Sequence, residues 1–164
     1  MRQNTRTRLH RGLDTAAWLL WLASFGLAIY AMCTLPDTIA THFAMDGTVD
    51  GYGSPSALLI LPIIMLLSMG GISLVARLVP PACWNTPFQV WEEHKEAVHR
   101  DMATLLYAIE LEIAGFTLYA QIKSYCQSGT GVIAAMVVFF AVLGLTIVGL
   151  SWKAYRDNKG GTPH

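Results

Sequence analysis

The sequence predicts an all-α protein, a bundle of four transmembrane helices in a single domain of residues 1–164. The chain is 54% hydrophobic and only 13% charged, whereas soluble domains are about 25% charged. Four apolar runs reach the roughly 20 residues that a helix needs to cross a bilayer. Four buried helices of a soluble protein are excluded as an alternative, because too little polar sequence would remain to cover them.

The predicted spans and loops are read directly from these runs. The spans lie at about 16–35, 57–76, 102–122 and 132–152, with an outer loop at 36–56 and a cytoplasmic loop at 77–101. The first run is expected to be a retained helix and not a signal peptide, because it is longer than a usual apolar signal region and no A-x-A-like site follows it.

The distribution of basic residues predicts the orientation of the chain. Lys and Arg precede the first run, fill the 77–101 loop and follow the fourth run, and only Lys123 lies on the opposite side. Cytoplasmic loops collect Lys and Arg, so both termini are expected in the cytoplasm and the 36–56 loop outside. The net charge of zero gives no indication of a nucleic-acid partner.

The outer loop is predicted to be an ordered lid. Pro36 stops the first helix, and turn signals follow in Asp46-Gly47, Asp50-Gly51 and Gly53. His42, Asp46 and Asp50 could together bind a divalent cation, whereas the alternative interpretation is that the two Asp side chains cap turns. One His and two carboxylates lack the specificity of a Cys/His zinc pattern, and no other cofactor is evident.

The cytoplasmic loop is predicted to end in a helix, Glu92–Arg100, that continues into the third span. Its His94 and His99 are five residues apart. The HExxH motif needs a spacing of four to place two ligands on one helix face, so a zinc protease is excluded.

Glu110 and Glu112 lie near the middle of the third span. Carboxyl groups at that depth are costly and are functional-site hypotheses by default. At about 100° per residue the two side chains are about 200° apart, so each is expected to meet a different neighbour and to be protonated at neutral pH. The candidate partners are the hydroxyls of Ser24, Ser68, Ser73 and Thr146. The same wheel predicts a lipid-facing side made of Met102, Leu105, Leu106, Ile109, Ile113 and Phe116.

Two loop patterns carry a resemblance to a known family. The outer loop contains Pro36, His42-Phe43, Gly47, Asp50-Gly51 and Gly53-Ser54, and the cytoplasmic loop contains Asn85-Thr86-Pro87 and Glu92-Glu93. This spaced set resembles the bacterial SdpI-like multi-pass membrane family, although Pro55 replaces a Lys that is frequent there. The resemblance implies a domain of unknown function in the bacterial cytoplasmic membrane, with toxin immunity and signalling in some members.

Three functions are open at this point. The first is binding, sensing or an immunity-type role, in which the outer loop meets a peptide or another membrane protein. The second is a small transporter or an ion- or proton-coupled subunit that uses Glu110 and Glu112. A membrane enzyme ranks last, because the sequence has no nucleophile–base pair, phosphate-binding Gly loop or helical metal motif. The bilayer is the one certain partner, and the fold is compatible with an oligomer.

Overall fold

Four long helices account for most of the computed structural model, which describes residues 6–80 and 83–160. Each helix, taken with any 3-10 turn that precedes it, is long and apolar enough to cross a membrane. The predicted all-α, four-span fold is therefore confirmed. The elements are α1 (Arg8–Thr34), a 3-10 turn (Pro55–Leu59), α2 (Ile60–Leu78), a 3-10 turn (Glu92–His94), α3 (Lys95–Tyr125) and α4 (Val132–Lys159).

Helices α1 and α3 run parallel to each other. His10 near the start of α1 is hydrogen-bonded to Thr104 of α3, and the rings of Tyr30 and Tyr125 meet near the two helix ends at 5.8 Å. Helices α2 and α4 run in the opposite direction. We call the side with the starts of α1 and α3 the charged end, and the opposite side the hairpin end.

The basic residues are segregated between these two ends. Among the Lys and Arg residues that the structure describes, Lys123 alone lies at the hairpin end. The others, at the charged end, are Arg6, Arg8, Arg11, Arg77, Lys95, Arg100, Lys153, Arg156 and Lys159.

Helix α3 is the central helix, with α1, α2 and α4 packed around it. The predicted lipid-facing side is therefore wrong for four of its members. Met102 is buried against α4, and Leu105 packs on the same cluster. Ile113 packs on the core between α1 and α2, and the Phe116 ring stacks on Phe139 at 4.6 Å. The helical wheel alone does not reveal how many neighbours a helix has. Large exposed apolar side chains lie mainly on α1, α2 and α4, as in Leu19, Leu67 and Leu145, so these helices contact lipid.

The outer loop contains a two-stranded antiparallel sheet that the sequence analysis did not predict. Strand β1 spans Ile39–Phe43 and strand β2 spans Val49–Gly53. Gly47 in the connecting turn has φ of 86°, a conformation that favours glycine. Ile39 is buried against α1 and the 3-10 turn that precedes α2, so the hairpin is part of the packed structure.

Candidate functional site

A buried carboxyl group, Asp14, anchors a polar cluster at the charged end. Arg6 forms an ion pair with Asp14, and Arg77 from the end of α2 reaches the same oxygen at 3.1 Å. The indole N–H of Trp18 donates to the other oxygen at 3.1 Å. Because a buried charge is stable only when it is paired and hydrogen-bonded, these three groups explain how a 4% exposed carboxylate fits here.

His10 connects this cluster to α3. Its Nδ1 accepts from the backbone N–H of Thr7, which in turn caps the start of α1. Its Nε2 lies 2.8 Å from Thr104 Oγ1, and its ring stacks on Tyr107 with 5.4 Å between ring centroids. The Arg6 guanidinium lies over the ring of Tyr107. The start of α1 is thus fixed to the face of α3 that carries Glu110 one turn later.

Glu110 is completely buried. The Ser73 hydroxyl donates to its Oε1 at 3.4 Å, while Oε2 has no hydrogen-bond partner among the described residues. The ion pairs of Asp14 lie about one helical turn away, because Ser73 precedes Arg77 by four residues on α2. Ser73 was one of the four predicted hydroxyl partners.

Glu112 lies on the other side of α3, in the packing with α4. Its Oε1 accepts from Thr146 Oγ1 at 2.5 Å, and its Oε2 is buried without a hydrogen-bond partner among the described residues. The two carboxyl groups therefore meet different helices, as the helical wheel predicted, and they do not form one site.

At the hairpin end, the three metal-capable side chains are divided between two arrangements. His42 Nδ1 lies 2.5 Å from Asp50 Oδ1 across the two strands. Asp46 instead accepts from the backbone N–H of Thr48 at 2.9 Å and from its hydroxyl at 2.6 Å. These hydrogen bonds from Thr48 lower the pKa of Asp46, as expected when donors favour the charged form of a carboxyl group.

This geometry matches turn capping for Asp46. No group of three or more His, Cys, Asp or Glu side chains is placed to hold a metal ion in the part of the chain that the structure describes. A cation at His42 and Asp50 stays a prediction.

The hairpin is docked onto the loop between α3 and α4. The Ala40 N–H donates to the Gln127 side chain at 2.6 Å, and Gln127 holds φ of 53°. The backbones of Gly47 and Gly129 approach so closely that a Cβ on Gly129 would lie 2.5 Å from the Gly47 oxygen. On β2, a Cβ on Gly51 would lie 2.8 Å from His42 Cβ. Glycines of the outer-loop motif are therefore required by close packing.

The cytoplasmic-loop motif lies apart from these clusters. Asn158 of α4 holds the segment, because its side chain accepts from the Trp91 N–H and donates to the Gln89 carbonyl, both at 2.9 Å. Glu93 is exposed in the 3-10 turn before α3. The motif residues are Asn85, Pro87 and Glu93.

Sequence reasoning missed His10 and Asp14 as members of the site. They precede the first apolar run and were grouped with the basic N-terminal segment. The available signal was helical spacing, because His10, Asp14 and Ala17 follow one another on one face of α1, and all three are buried.

Comparison with known proteins adds one finding. The family model "Domain of unknown function (DUF1648)" matches residues 19–66, which hold most of α1, the hairpin and the start of α2. DUF1648 is found in SdpI-like membrane proteins. The searches against curated proteins and against solved structures gave no match. The chain is thus an integral membrane protein with similarity to a poorly characterised domain.

Proposed function

We propose that this membrane protein is ion- or proton-coupled and that Glu110 is the group that binds and releases the proton. The observation that carries the proposal is the complete burial of Glu110, whose Oε2 has no hydrogen-bond partner in the described part of the chain. Leaving a buried polar atom without a hydrogen bond costs about 1–3 kcal/mol. Ionisable groups inside membrane segments mark ion and proton pathways.

The charges around Glu110 support this role. Arg6 and Arg77 supply two positive charges, and Asp14 supplies one negative charge. An ionised Glu110 brings the sum of these four groups to zero, and a protonated Glu110 leaves it at +1. The ionised state is therefore compensated by nearby positive charge, and in the protonated state the remaining charge includes Arg77, whose side chain is half exposed. Glu112 accepts a hydrogen bond from the Thr146 hydroxyl in the packing of α3 with α4, so we assign it a structural role.

A hydrophobic carbodiimide tests the proposal, because it reacts with protonated carboxyl groups within the membrane. We expect labelling of Glu110, mapped by peptide mass spectrometry, to decrease as pH rises and to be absent in Glu110→Gln. Protection of Glu110 by Na⁺ would assign a cation instead of a proton. Labelling of Glu110 that is independent of both pH and Na⁺ would contradict the proposal.

The outer hairpin supports a second role, binding or sensing of a peptide or another membrane protein, as in the immunity-type function that the SdpI-like resemblance implies. The hairpin is fixed to the α3–α4 loop, yet Met45 is 83% exposed and Tyr52 is 70% exposed. A rigid support with exposed large apolar side chains suits recognition. A photo-crosslinker at position 45 should give a specific protein or peptide adduct in cells. The same crosslinker at the α4 position 145 should give none.

We also propose that the charged end faces the cytoplasm of a bacterial cell. Among the described residues, nine Lys and Arg side chains at that end and one at the other support this orientation. Met45→Cys in a background without Cys33, Cys83 and Cys126 tests it with an impermeant thiol reagent. Labelling is expected in intact spheroplasts, and labelling only after lysis would contradict the orientation.

A further inference from the structure

A second group of buried polar side chains lies nearer the hairpin end. Ser24 is completely buried, and its Oγ has no hydrogen-bond partner among the described residues. Thr117 and Gln121 are buried on α3, and the Gln121 amide donates to the Leu58 carbonyl at 3.0 Å. We call Ser24, Thr117 and Gln121 the outer polar group.

The register of α1 against α3 places Ser24 within two residues of the level of Thr117. His10 is level with Thr104 and Tyr30 with Tyr125, so the offset between the helices is 94 to 95 residues (104 − 10 and 125 − 30). Ser24 is then level with positions 118–119. Thr117 follows Glu110 by seven residues, which is about 10 Å along a helix. The outer polar group therefore lies closer to the hairpin end than Glu110 does, in the same interface between helices.

Apolar side chains fill the interval between Glu110 and the outer polar group. Ala17, Met65, Met69 and Ala114 form one buried cluster. Met65 and Met69 are 2% and 1% exposed, and both are on α2, which also supplies Ser73 to Glu110. Met side chains are unbranched and change conformation readily, so this barrier can open without movement of a helix.

Resting on the proposed role of Glu110, we propose that the outer polar group binds water and protons from the hairpin side, and that Met65 and Met69 form the barrier between it and Glu110. Water suits this group, because ordered water molecules hydrogen-bond to buried polar atoms that have no other partner, such as the Ser24 hydroxyl. When the methionines move, a hydronium ion at the outer polar group transfers its proton to ionised Glu110. The products are water and a neutral carboxyl group.

Met69→Ser tests the barrier, because it shortens the side chain and adds a hydroxyl. In proteoliposomes containing a pH-sensitive dye, we expect it to raise passive proton permeability about tenfold, equivalent to a barrier about 1.4 kcal/mol lower. The double variant Met69→Ser/Glu110→Gln should return to the low value. Leu67→Ser is the matched control, since Leu67 is on the same helix and 72% exposed, and it should change nothing. Met65→Ala provides a second variant if Met69→Ser does not fold.

A second readout separates this inference from the role of Glu110. In a Cys-free background, Thr117→Cys should react with a small thiol reagent added from the hairpin side, and Ala114→Cys should react only when Met69→Ser is also present. This pattern would support the barrier even if carbodiimide labelling showed no proton exchange at Glu110. Unchanged permeability and an unreactive Thr117→Cys would overturn the inference, as would a leak that persists in Glu110→Gln.

Discussion

The contact between the hairpin and the α3–α4 loop predicts a large effect for Gly129→Ala. The new Cβ would lie 2.5 Å from the Gly47 oxygen, 2.7 Å from Phe43 Cδ1 and 3.0 Å from Gly47 Cα. Ordinary contact begins at 3.4 Å, so the hairpin must move by about 0.9 Å (3.4 − 2.5). Two of these atoms belong to the backbone and cannot rotate away. Overpacking of this kind costs about 1–3 kcal/mol.

Hydrogen exchange of the Ala40 amide measures the effect, because this N–H is bonded to Gln127 only while the hairpin is docked. A loss of about 2 kcal/mol in docking should speed its exchange about thirtyfold. Gly144→Ala is the control, since a Cβ there meets nothing within 4 Å, and it should leave the exchange rate unchanged. If Gly129→Ala leaves it unchanged as well, the docked arrangement of the hairpin is refuted.

Three further predictions concern the hairpin and the charged end. Gly51→Val should lower the melting temperature in detergent more than Thr48→Val. The first forces a clash with the facing strand, whereas the second removes one exposed hydrogen bond, from the Thr48 hydroxyl to Asp46. Equal melting temperatures would count against an ordered loop. Asp14→Asn should lower the free energy of unfolding by about 2 kcal/mol. Breaking a fully buried ion pair costs about 3–5 kcal/mol, and the smaller value is expected here because Arg77 is half exposed. An unchanged melting temperature would show that the ion pairs are not formed. If the hairpin binds a divalent cation, zinc, calcium, manganese or magnesium should raise the melting temperature, and Asp50→Asn should abolish the rise; no shift with any of these ions leaves turn capping as the explanation.

The sequence predicted the membrane helices and the two carboxyl groups because both depend on local properties. Long apolar runs define spans wherever they occur, and a helical step of about 100° is enough to separate Glu110 from Glu112. Ser73 and Thr146, chosen as hydroxyls at mid-span, are their observed contacts.

The rest depends on contacts between distant segments. The hairpin has only a weak alternating pattern, because mainly Ile39 and Ala40 are buried, and its position is set by Gln127 far along the chain. The ion pairs of Asp14 join three separate parts of the chain, the N-terminal segment, α1 and α2. Helical spacing places His10 and Asp14 on one face of α1, but it does not reveal the distant side chains that they contact, and for that reason the site at the charged end was not predicted.

The protonation of Glu110 is the central claim, and infrared difference spectroscopy of protonated carboxyl groups tests it most directly. Spectra of the wild-type protein across the neutral pH range should contain a carboxyl band that decreases as pH rises. That band should be absent in Glu110→Gln and retained in Glu112→Gln. A titrating band that persists in Glu110→Gln, or the absence of any titrating band in the wild-type protein, would contradict the account.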